Sequence, residues 1–566
     1  MFKKIIFLII NSFWVLLCLR QYLSFKKAIS NVESIQQKLL LRTLRKNAQS
    51  EFGRKHGFSS ISNTSEFQAK VPISTYDSYL PYINSIGNGK KNVLTGEPIL
   101  MLEPSSGSTA PSKYIPYTRS LKQEFQKGIS PWIFNLYSHC KKLLFGKAYW
   151  SITPVAHSQR KTEGRLPIGF EDDSEYLGFL GKYLLNLLFV VPKEVIRIED
   201  IAAFQYTTLL FLLIERDITL ISVWNPAFLT LLLAPMKDWL PSLIKDIREG
   251  TISPPGNIDP VLKDRLATKL SKNRRRAKEL ALILMQLEEL GDAFYEKIWP
   301  NLALISCWCD ANATLYIKEV KKLFKNVEIQ PKGLIATEGF ISFPLVNESG
   351  APLSIESHFF EFIEINGGDK HSTKLAHQLE KGKRYSVIIT TGGGLYRYRL
   401  FDIIEVVGFK GECPLIRFIG KEDKISDLFG EKLNEQHISC LLKELFKKYS
   451  IMPKFFMIAP EKCEQSNTCF YVLFLELALN LPAQKLDRLA LELEERLQEN
   501  YHYKYCRELG QLSKSRLFII HSGGSEVYLR QCQSLDQRAG DIKPAVLHPK
   551  FGWAKEFDAV QLEFRA

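Results

Sequence analysis

Residues 390–402 read Thr390-Thr391-Gly392-Gly393-Gly394-Leu395-Tyr396-Arg397-Tyr398-Arg399-Leu400-Phe401-Asp402. The apolar run from Tyr385 to Thr390 predicts a buried strand, and the glycines predict a tight turn after it. Asp402 can accept hydrogen bonds from both hydroxyl groups of a ribose. A lone glycine-rich loop is weak evidence for a nucleotide site, so other segments of the chain have to support it.

A second polar loop follows the apolar residues Ile99 to Leu102. It runs Ser105-Ser106-Gly107-Ser108-Thr109-Ala110-Pro111-Ser112-Lys113. Hydroxyl groups, backbone N–H groups and a lysine are the donors that a phosphate cradle uses. The Walker A spacing is absent, and on its own the loop reads as a serine-rich turn.

Two further segments carry candidate charges. Glu338, in Ala336-Thr337-Glu338-Gly339, is a carboxylate at the end of an apolar run, where it could bind Mg²⁺ through oxygen. Lys543 lies in Gly540-Asp541-Ile542-Lys543-Pro544 near the end of the chain. Alone, the glutamate reads as a surface or capping residue and the lysine as an exposed one.

Length and composition limit the class of protein. The chain has 566 residues, of which 45% are hydrophobic, so we expect two to four folded domains. A net charge of +14 favours an anionic partner. The densest basic run, Lys272 to Lys278, is expected to be a solvated helix face, and no nucleic-acid-binding motif accompanies it. We therefore expect no nucleic-acid partner.

The ten cysteines are scattered, which indicates free thiols and a reducing compartment, so a cytoplasmic location is expected. At the N-terminus, Lys3 and Lys4 precede an apolar stretch from Ile5 to Leu19. Three interpretations stay open for residues 1–23: a helix docked on the domain, a weak contact with a membrane surface, and a signal or spanning segment. We favour the docked helix, with an enzyme that is cytoplasmic or peripheral to the membrane.

The pattern of apolar runs predicts an α/β protein. Short buried strands at Ile218–Val223, Leu302–Cys307 and Tyr385–Thr390 alternate with helices, as in a sheet covered by helices on both faces. After Gly420 the pattern changes to a smaller α+β unit. The sequence thus predicts a large N-terminal domain over residues 1–419 and a small C-terminal domain over residues 420–566, with a hinge at Gly420–Asp423.

Taken in order, the four segments resemble those of the GH3 (Gretchen Hagen) family of acyl acid amido synthetases, a branch of the acyl-adenylate-forming enzymes. The similarity continues through Tyr149-Trp150-Ser151, Asp172-Asp173-Ser174-Glu175-Tyr176-Leu177, Ser222-Val223-Trp224-Asn225-Pro226 and Phe429-Gly430-Glu431-Lys432-Leu433. It covers nearly the whole chain after about residue 35. Each motif is weak alone, but the ordered set is specific.

The resemblance implies an ATP- and Mg²⁺-dependent reaction that joins a carboxylic acid to an amine, usually an amino acid, through an acyl-adenylate. It implies that Ser105 to Thr109 and Lys113 contact the phosphates, that Glu338 binds Mg²⁺, and that Thr337, next to Ala336, lies near the α-phosphate. It places Tyr398 and Asp402 at the nucleoside, Lys421 at the hinge, and Lys543 as a catalytic lysine that a mobile small domain delivers. The segment Trp224-Asn225-Pro226 is our expected acyl pocket.

Three positions depart from the family pattern. Phe401 stands where the family usually has glycine, Lys421 replaces a hinge arginine, and Ala110-Pro111 replaces a more glycine-rich half of the phosphate loop. Phe401 and Lys421 leave open a membrane-associated binding protein that has lost catalysis. Transfer of the acyl group from the same adenylate to a thiol, as in acyl-CoA ligases, also stays open.

Overall fold

A computed structural model describes residues 2–105, 113–151, 161–169, 187–310, 313–365, 372–422, 425–426, 428–429, 431, 433–462, 468–479, 481–508, 511–534, 542 and 544–557. The chain divides into two compact units. Unit 1 consists of Met1–Ser106, Ser112–Leu400 and Ile404–Phe418, and unit 2 includes Phe401–Ile403 and Ile419–Ala566. The sequence did not indicate that Phe401–Ile403 would group with the C-terminal residues.

The helices of the described residues are α1 Phe2–Ala28, α2 Val32–Asn47, α3 Glu51–Lys55, α4 Thr64–Lys70, α5 Tyr76–Gly87, α6 Arg119–His139, α7 Ile201–Ile214, α8 Pro226–Leu233, α9 Met236–Glu249, α10 Pro260–Ala267, α11 Arg274–Met285, α12 Leu287–Leu290, α13 Phe294–Ile298, α14 Thr314–Leu323, α15 Glu435–Lys448, α16 Ala483–Leu497, α17 Tyr501–Glu508, α18 Gly524–Ser534 and α19 Trp553–Glu556. Short 3₁₀ helices include Lys141–Phe145 and Lys193–Arg197.

The strands are β1 Met101–Ser105, β2 Lys113–Tyr117, β3 Lys147–Trp150, β4 Ile218–Ser222, β5 Leu304–Cys307, β6 Glu328–Pro331, β7 Ile335–Ala336, β8 Gly339–Phe340, β9 Ala351–Pro352, β10 Phe359–Glu364, β11 Lys374–Leu375, β12 Arg384–Thr390, β13 Tyr398–Lys410, β14 Cys413–Lys421, β15 Ile425–Ser426, β16 Leu433–Asn434, β17 Pro453–Lys462, β18 Cys469–Leu477 and β19 Arg516–Ile520.

Unit 1 contains a four-stranded parallel sheet in the order β3-β4-β5-β6. Its central strands are buried along their whole length, as expected for parallel strands that helices cover on both faces. Apolar side chains of α7, α9 and α11 form the core with these strands. The predicted strands at 218–223 and 302–307 are confirmed, and so is the α/β class of this domain.

The predicted strand at 385–390 is confirmed as β12, but its expected place in the sheet was wrong. β12 lies in a second, six-stranded sheet in the order β11-β10-β12-β13-β14-β9. It pairs antiparallel with β10, so that Phe359 lies opposite Thr390. The preceding segment returns as an antiparallel neighbour and not through a crossover helix, which apolar runs alone do not reveal.

The chain after α1 continues as two helices, α2 and α3, because Ser50 accepts a hydrogen bond from the Gly53 N–H group and begins α3. One helix expectation needs correction. The basic run is not wholly solvated. Arg276 is buried, and its guanidinium donates to the carbonyl oxygens of Leu213 and Ile298.

Unit 2 is built on the sheet β17-β18-β19, in which β17 and β18 are antiparallel and β18 and β19 are parallel. Phe455, Phe474 and Trp553 form its core with neighbouring apolar side chains. These three strands, together with α15 and α16, confirm the α+β character predicted for the C-terminal region.

The N-terminal apolar stretch forms α1, which packs against α6 in unit 1. Among the described residues, α1 is the single helix that is long and apolar enough to cross a membrane. The docked-helix expectation is confirmed: the side-chain amide of Asn11 donates to the carbonyl oxygens of Leu144 and Gly146, each at 3.0 Å. Nine cysteines of the described part are free thiols, as predicted.

Candidate active site

The predicted phosphate loop connects the two strands of a hairpin. β1 and β2 are antiparallel, and Ser105 lies opposite Lys113. Ser106, Gly107, Ser108 and Thr109 lie outside the described residues. The ammonium group of Lys113 is 5.6 Å from the ring centre of Tyr76. A cation at this distance is attracted by the negative face of the ring. Lys113 is thus held at the start of β2, directly after the predicted phosphate loop.

The same tyrosine connects this hairpin to the predicted magnesium ligand. Burial raises the pKa of Tyr76, and among smaller contributions the negative charge of Glu338 raises it further. The Tyr76 hydroxyl accepts a hydrogen bond from the Tyr114 N–H group at 2.8 Å. The structure therefore brings Lys113 and Glu338 to one aromatic side chain. Tyr76 lies in none of the motif segments, so no sequence signal pointed to it.

The predicted magnesium ligand lies in a β-hairpin with a two-residue turn, formed by residues 336–339. Ala336 pairs with Gly339 across β7 and β8, and Thr337 and Glu338 occupy the turn. The Tyr117 hydroxyl donates to the Thr337 carbonyl oxygen at 2.6 Å. Tyr117 is on β2, so the hairpin that carries Glu338 is tied directly to the hairpin that carries the phosphate loop.

A buried pair, Glu124 and His358, joins the hairpin that carries Glu338 to the glycine-rich loop at Gly392–Gly394. The Glu124 carboxylate accepts hydrogen bonds from the Gly392 N–H group at 3.0 and 2.9 Å. It also lies 3.0 Å from His358 Nδ1, while His358 Nε2 accepts from the Phe340 N–H group at 2.9 Å. Because Nε2 accepts, the ring proton is on Nδ1 and is donated to Glu124. Neither residue belongs to a motif, so no sequence signal could have found them.

Gly392 is required at its position by this close approach. A Cβ atom there would lie 2.6 Å from Glu124 Oε1, a distance at which something must move. The glycine-rich loop is therefore shaped by a buried carboxylate of α6. The sequence predicted a tight turn here, and the structure shows that the turn approaches this side chain.

Arg397, in the segment that follows the glycine-rich loop, has a structural role. Its side chain is buried, its Nε is 3.0 Å from Glu361 Oε2, and its Nη2 is 3.0 Å from Glu361 Oε1. Its remaining nitrogen donates to the carbonyl oxygens of Gln68 and Val71 at 2.9 and 2.8 Å. These bonds occupy the guanidinium and fix the loop on unit 1.

Tyr398 is buried at the start of β13. Its ring packs edge-on against Tyr79 with the ring centres 5.9 Å apart, and the neighbouring Arg399 N–H group donates to the Ser74 carbonyl oxygen. The hydroxyl group of Tyr79 both donates to and accepts from the backbone of Tyr396, at 2.7 Å each. This packing positions the chain just before Asp402.

Asp402 and Lys421 meet in unit 2. The ammonium group of Lys421 is 3.3 Å from Asp402 Oδ1; the Asp402 side chain is 4% exposed and that of Lys421 33%. Phe401, which directly precedes Asp402, has a backbone φ of +61°, in the left-handed region. Its carbonyl oxygen accepts from the Glu422 N–H group at 2.7 Å. The departure noticed in the sequence thus falls on a backbone conformation that glycine adopts at lower cost.

Lys543 lies outside the described residues, so its role stays a prediction. Its described neighbours in unit 2 are anchored. Ile542 and Ala545 are buried, and the Val546 N–H group donates to Glu435 Oε1 at 2.9 Å.

A polar row crosses the parallel sheet of unit 1 at the carboxyl ends of its strands. Trp150, Ser222, Ser306 and Gln330 occupy paired positions on four adjacent strands, so they share one face. The ends of parallel strands are where open α/β sheets bind ligands. Among the described residues, the buried Ser306 hydroxyl and Gln330 side-chain nitrogen have no hydrogen-bond partner.

A buried lysine sits over this row. Lys332 is 4% exposed, its ammonium group is 2.8 Å from Ser222 Oγ, and three indole rings surround it. The ring centres of Trp132, Trp150 and Trp224 are 4.8, 5.4 and 4.9 Å away. Stacked aromatic faces stabilise a desolvated cation. The sequence indicated a pocket at Trp224-Asn225-Pro226 but not the lysine, whose partners are distant in sequence.

The described residues contain no group of three or more His, Cys, Asp or Glu side chains that could hold a metal ion. Mg²⁺ commonly binds through one or two carboxylates together with substrate phosphates, so a single carboxylate oxygen ligand is compatible with it. Glu338, which is buried and whose negative charge acts on Tyr76, has the donor type that this cation needs.

Comparison with known proteins covers most of the chain. The GH3 family N-terminal domain matches residues 21–329, the central domain residues 351–421 and the C-terminal domain residues 436–549. Indole-3-acetic acid-amido synthetase GH3.2 of Arabidopsis thaliana is 26% identical over 432 residues, which is 72% of this chain and 77% of the relative. Indole-3-acetic acid-amido synthetase GH3.8 of Oryza sativa subsp. indica is 24% identical over 88% of this chain and 85% of its own.

Solved structures agree on the fold. The GH3.15 acyl acid amido synthetase superposes with a TM-score of 0.77 at 21% identity, over 94% of each chain. A second structure, of the AtGH3.15 acyl acid amido synthetase in complex with 2,4-DB, superposes with a TM-score of 0.79 over 93% of each chain. The α/β character of the large N-terminal region and the α+β character of the smaller C-terminal region, predicted from the sequence, are thereby confirmed. The GH3 family N-terminal domain alone matches more than half of the residues of this chain, so the chain belongs to the GH3 family.

Proposed function

We propose that the chain is an ATP-dependent ligase that activates a carboxylic acid as an acyl-adenylate and transfers the acyl group to an amine, in the first place an amino acid, to form an amide. The observation that carries this proposal is the buried linkage from the Glu338 hairpin through His358 and Glu124 to Gly392. It joins two of the motif loops in unit 1 with hydrogen bonds that do not depend on any ligand. A site with such preorganised loops suits a reaction that relies on positioning and electrostatics.

In the first step an oxygen of the substrate carboxylate attacks the α-phosphorus of ATP in line, and pyrophosphate leaves. Ser105 to Thr109 and Lys113 contact the β- and γ-phosphates, Thr337 lies at the α-phosphate, and Asp402 accepts hydrogen bonds from the ribose. Glu338 would hold Mg²⁺, whose positive charge would stabilise the charge that develops on the phosphoryl oxygens. Lys543 adds a positive charge between the carboxylate and the α-phosphate.

In the second step the amine nitrogen attacks the acyl carbon, the bond to AMP breaks, and the nitrogen loses a proton. The new carbon–nitrogen bond replaces the bond between the acyl carbon and the AMP oxygen, so charge develops on the carbonyl oxygen and on the departing AMP oxygen, and no bond to phosphorus forms or breaks. For this reason the two steps need different charged groups at the reacting centre.

The acid is held, in this proposal, against the aromatic residues at the carboxyl ends of β3 to β6. Trp224 and Trp150 offer flat apolar faces, and the Ser306 hydroxyl and the Gln330 side-chain nitrogen are buried polar groups without a described partner. Such a lining favours a planar, aromatic acid that carries a hydrogen-bond acceptor. The relatives named above act on an indole acid, which is of this class.

Transfer to a thiol is the second candidate for the acceptor. The two are separated by incubating the full chain with ATP, Mg²⁺ and an aryl acid, together with either a mixture of amino acids or coenzyme A, and identifying the products by mass spectrometry. We expect an N-acyl amino acid and AMP. An acyl-thioester formed in preference to any amide would replace the acceptor in our proposal and leave the first step intact.

A further inference from the structure

We propose that α1 binds the surface of a membrane that contains anionic lipid, lying parallel to it while remaining docked on unit 1. The observation that points to this is a continuous exposed apolar face on a helix whose opposite face is buried. The exposed face, here called the outer face of α1, consists of Ile5, Ile6, Ile9, Phe13, Leu16, Leu17 and Leu23. The inference is independent of the catalytic proposal.

The outer face is a concentrated feature. Of the 21 large hydrophobic side chains that are exposed in the described part of the chain, seven lie on this one helix of 27 residues. Ile9 and Leu16 are 63% and 61% exposed. Single exposed apolar residues are ordinary in proteins, but a contiguous apolar face marks an interaction surface.

The inner face of α1 is fixed to unit 1 and cannot serve as a second apolar side. Its buried residues recur at helical spacing: Phe7, Asn11, Trp14, Cys18 and Phe25. The Trp14 ring packs edge-on against Tyr137 at 5.5 Å, and Phe25 packs against Phe343 at 4.9 Å.

Polar anchors also oppose insertion of α1 across a bilayer. The Asn11 amide donates to the backbone at the end of the Lys141–Phe145 helix, and the Ser24 hydroxyl donates to Glu356 Oε1 at 2.6 Å. A spanning α1 would lose these bonds and expose the apolar surface of α6. A helix that stays docked can enter only the interface of a membrane, with its outer face among the acyl chains.

The positive charges on α1 favour a membrane that contains anionic lipid. From Met1 to Asn31 the chain has five cations and no anion: Lys3 and Lys4 at one end, and Arg20, Lys26 and Lys27 toward the other. All five are exposed: four lie at the two ends of the outer face, where Lys4 is 4.0 Å from Asp217 Oδ1, and Arg20 lies between Leu17 and Leu23. Anionic lipid head groups attract such flanking cations, whose aliphatic stems can extend to the head-group level.

A second copy of the chain fits this face less well. Both ends of α1 are basic, so two outer faces would bring like charges together whether the helices ran parallel or antiparallel. The family match also begins at residue 21, so most of the outer face precedes the region shared with the family. Membrane attachment is therefore a property we assign to this chain and not to the family.

The test is cosedimentation of the full chain with vesicles of phosphatidylcholine alone and of phosphatidylcholine with phosphatidylserine. We expect binding to the phosphatidylserine vesicles that is at least about tenfold tighter than to the neutral ones. The double variant Ile9→Glu Leu16→Glu should lose at least about tenfold in this binding. The matched control is Val261→Glu Met285→Glu, which adds the same charge at two other exposed apolar positions of unit 1 and should leave binding unchanged.

Three results would overturn the proposal. The first is equal loss of binding in the control variant or no binding to either vesicle. The second is retention in the membrane after sodium carbonate extraction, which would indicate a spanning helix. The third is a dimer, measured by sedimentation equilibrium without vesicles, that Ile9→Glu Leu16→Glu dissociates, since a second copy would then be the occupant of the outer face.

Discussion

The ammonium group of Lys421 lies 3.3 Å from the buried carboxylate of Asp402, which links the predicted hinge residue to the predicted ribose ligand. One oxygen of Asp402 faces this cation, so Lys421 orients the carboxylate. We predict that Asp402→Asn weakens ATP binding by at least about tenfold, the value of a lost charge-assisted acceptor of ~1.5–3 kcal/mol. ATP titration by isothermal calorimetry measures it.

Variants of Lys421 separate orientation from ligand binding. Lys421→Met should weaken ATP binding less than Asp402→Asn does, and Lys421→Arg should preserve it because the positive charge remains. A larger loss in Lys421→Met than in Asp402→Asn would mean that the lysine itself is the nucleotide ligand and that our assignment of Asp402 is wrong.

A second prediction concerns the left-handed backbone of Phe401. Phe401→Gly should be more stable than Phe401→Ala by about 1 kcal/mol, because a left-handed conformation costs a residue with a Cβ ~1–2 kcal/mol and glycine nothing. Both variants lose the ring, so the difference reports the backbone alone. Urea unfolding followed by tryptophan fluorescence measures it.

Phe409, on the same strand, supplies the control, since its φ is not positive. There the order should reverse, with Phe409→Ala more stable than Phe409→Gly by ~0.5–1 kcal/mol. If glycine were the less stable substitution at both positions, Phe401 would carry no backbone strain.

The third prediction tests the linkage between motif loops. Glu124→Gln places a side-chain donor where both Gly392 N–H and His358 Nδ1–H need an acceptor. We expect a loss of ~1–3 kcal/mol in stability from the donor left without a partner. At temperatures where the variant is fully folded, kcat for pyrophosphate exchange should still fall by at least about tenfold, because the loops shift.

Glu97→Gln is the control for this substitution. Glu97 accepts the Ser120 N–H group of the same helix, α6, but touches neither motif loop. It should leave kcat unchanged. A Glu124→Gln variant that is destabilised yet has the kcat of the unmodified chain would reduce the pair to a structural role.

The fourth prediction concerns magnesium. Glu338→Gln removes the charge but almost preserves the shape, so the protein should fold normally. The Mg²⁺ concentration for half-maximal pyrophosphate exchange should rise at least about tenfold, because a carboxylate ligand is lost. Near-ultraviolet circular dichroism confirms folding, and a magnesium dependence identical to that of the unmodified chain would remove Glu338 from the metal site.

The extent of prediction from the sequence differs between fold and site. The strands β4, β5 and β12 and the sheet of unit 2 follow from apolar runs, because burial on both faces leaves a continuous apolar segment. The pairing of β12 with β10 does not, since it depends on the direction in which the chain returns. Motif order identified the family, although each loop alone was ambiguous.

What the sequence missed are residues that act through distant partners. Glu124 and His358 are 234 positions apart, and Lys332 lies 110 positions from Ser222. Their roles come from burial and from the neighbours that folding supplies, and no local spacing encodes either. Phe401 is the opposite case, because its departure from the family pattern marked a position where the backbone does adopt an unusual conformation.

The most direct test of the proposed function is acid-dependent exchange of pyrophosphate into ATP, measured with the full chain and its Lys543→Ala variant over a panel of aryl carboxylic acids. We predict exchange that requires the acid and that falls by about 10²–10³-fold in Lys543→Ala, as when one preorganised electrostatic donor is removed. Supplied with the preformed acyl-adenylate, the variant should still form the amide. No acid-dependent exchange by folded, ATP-binding protein with any acid of the panel would contradict the adenylation claim, and equal impairment of both steps in the variant would contradict the role given to Lys543.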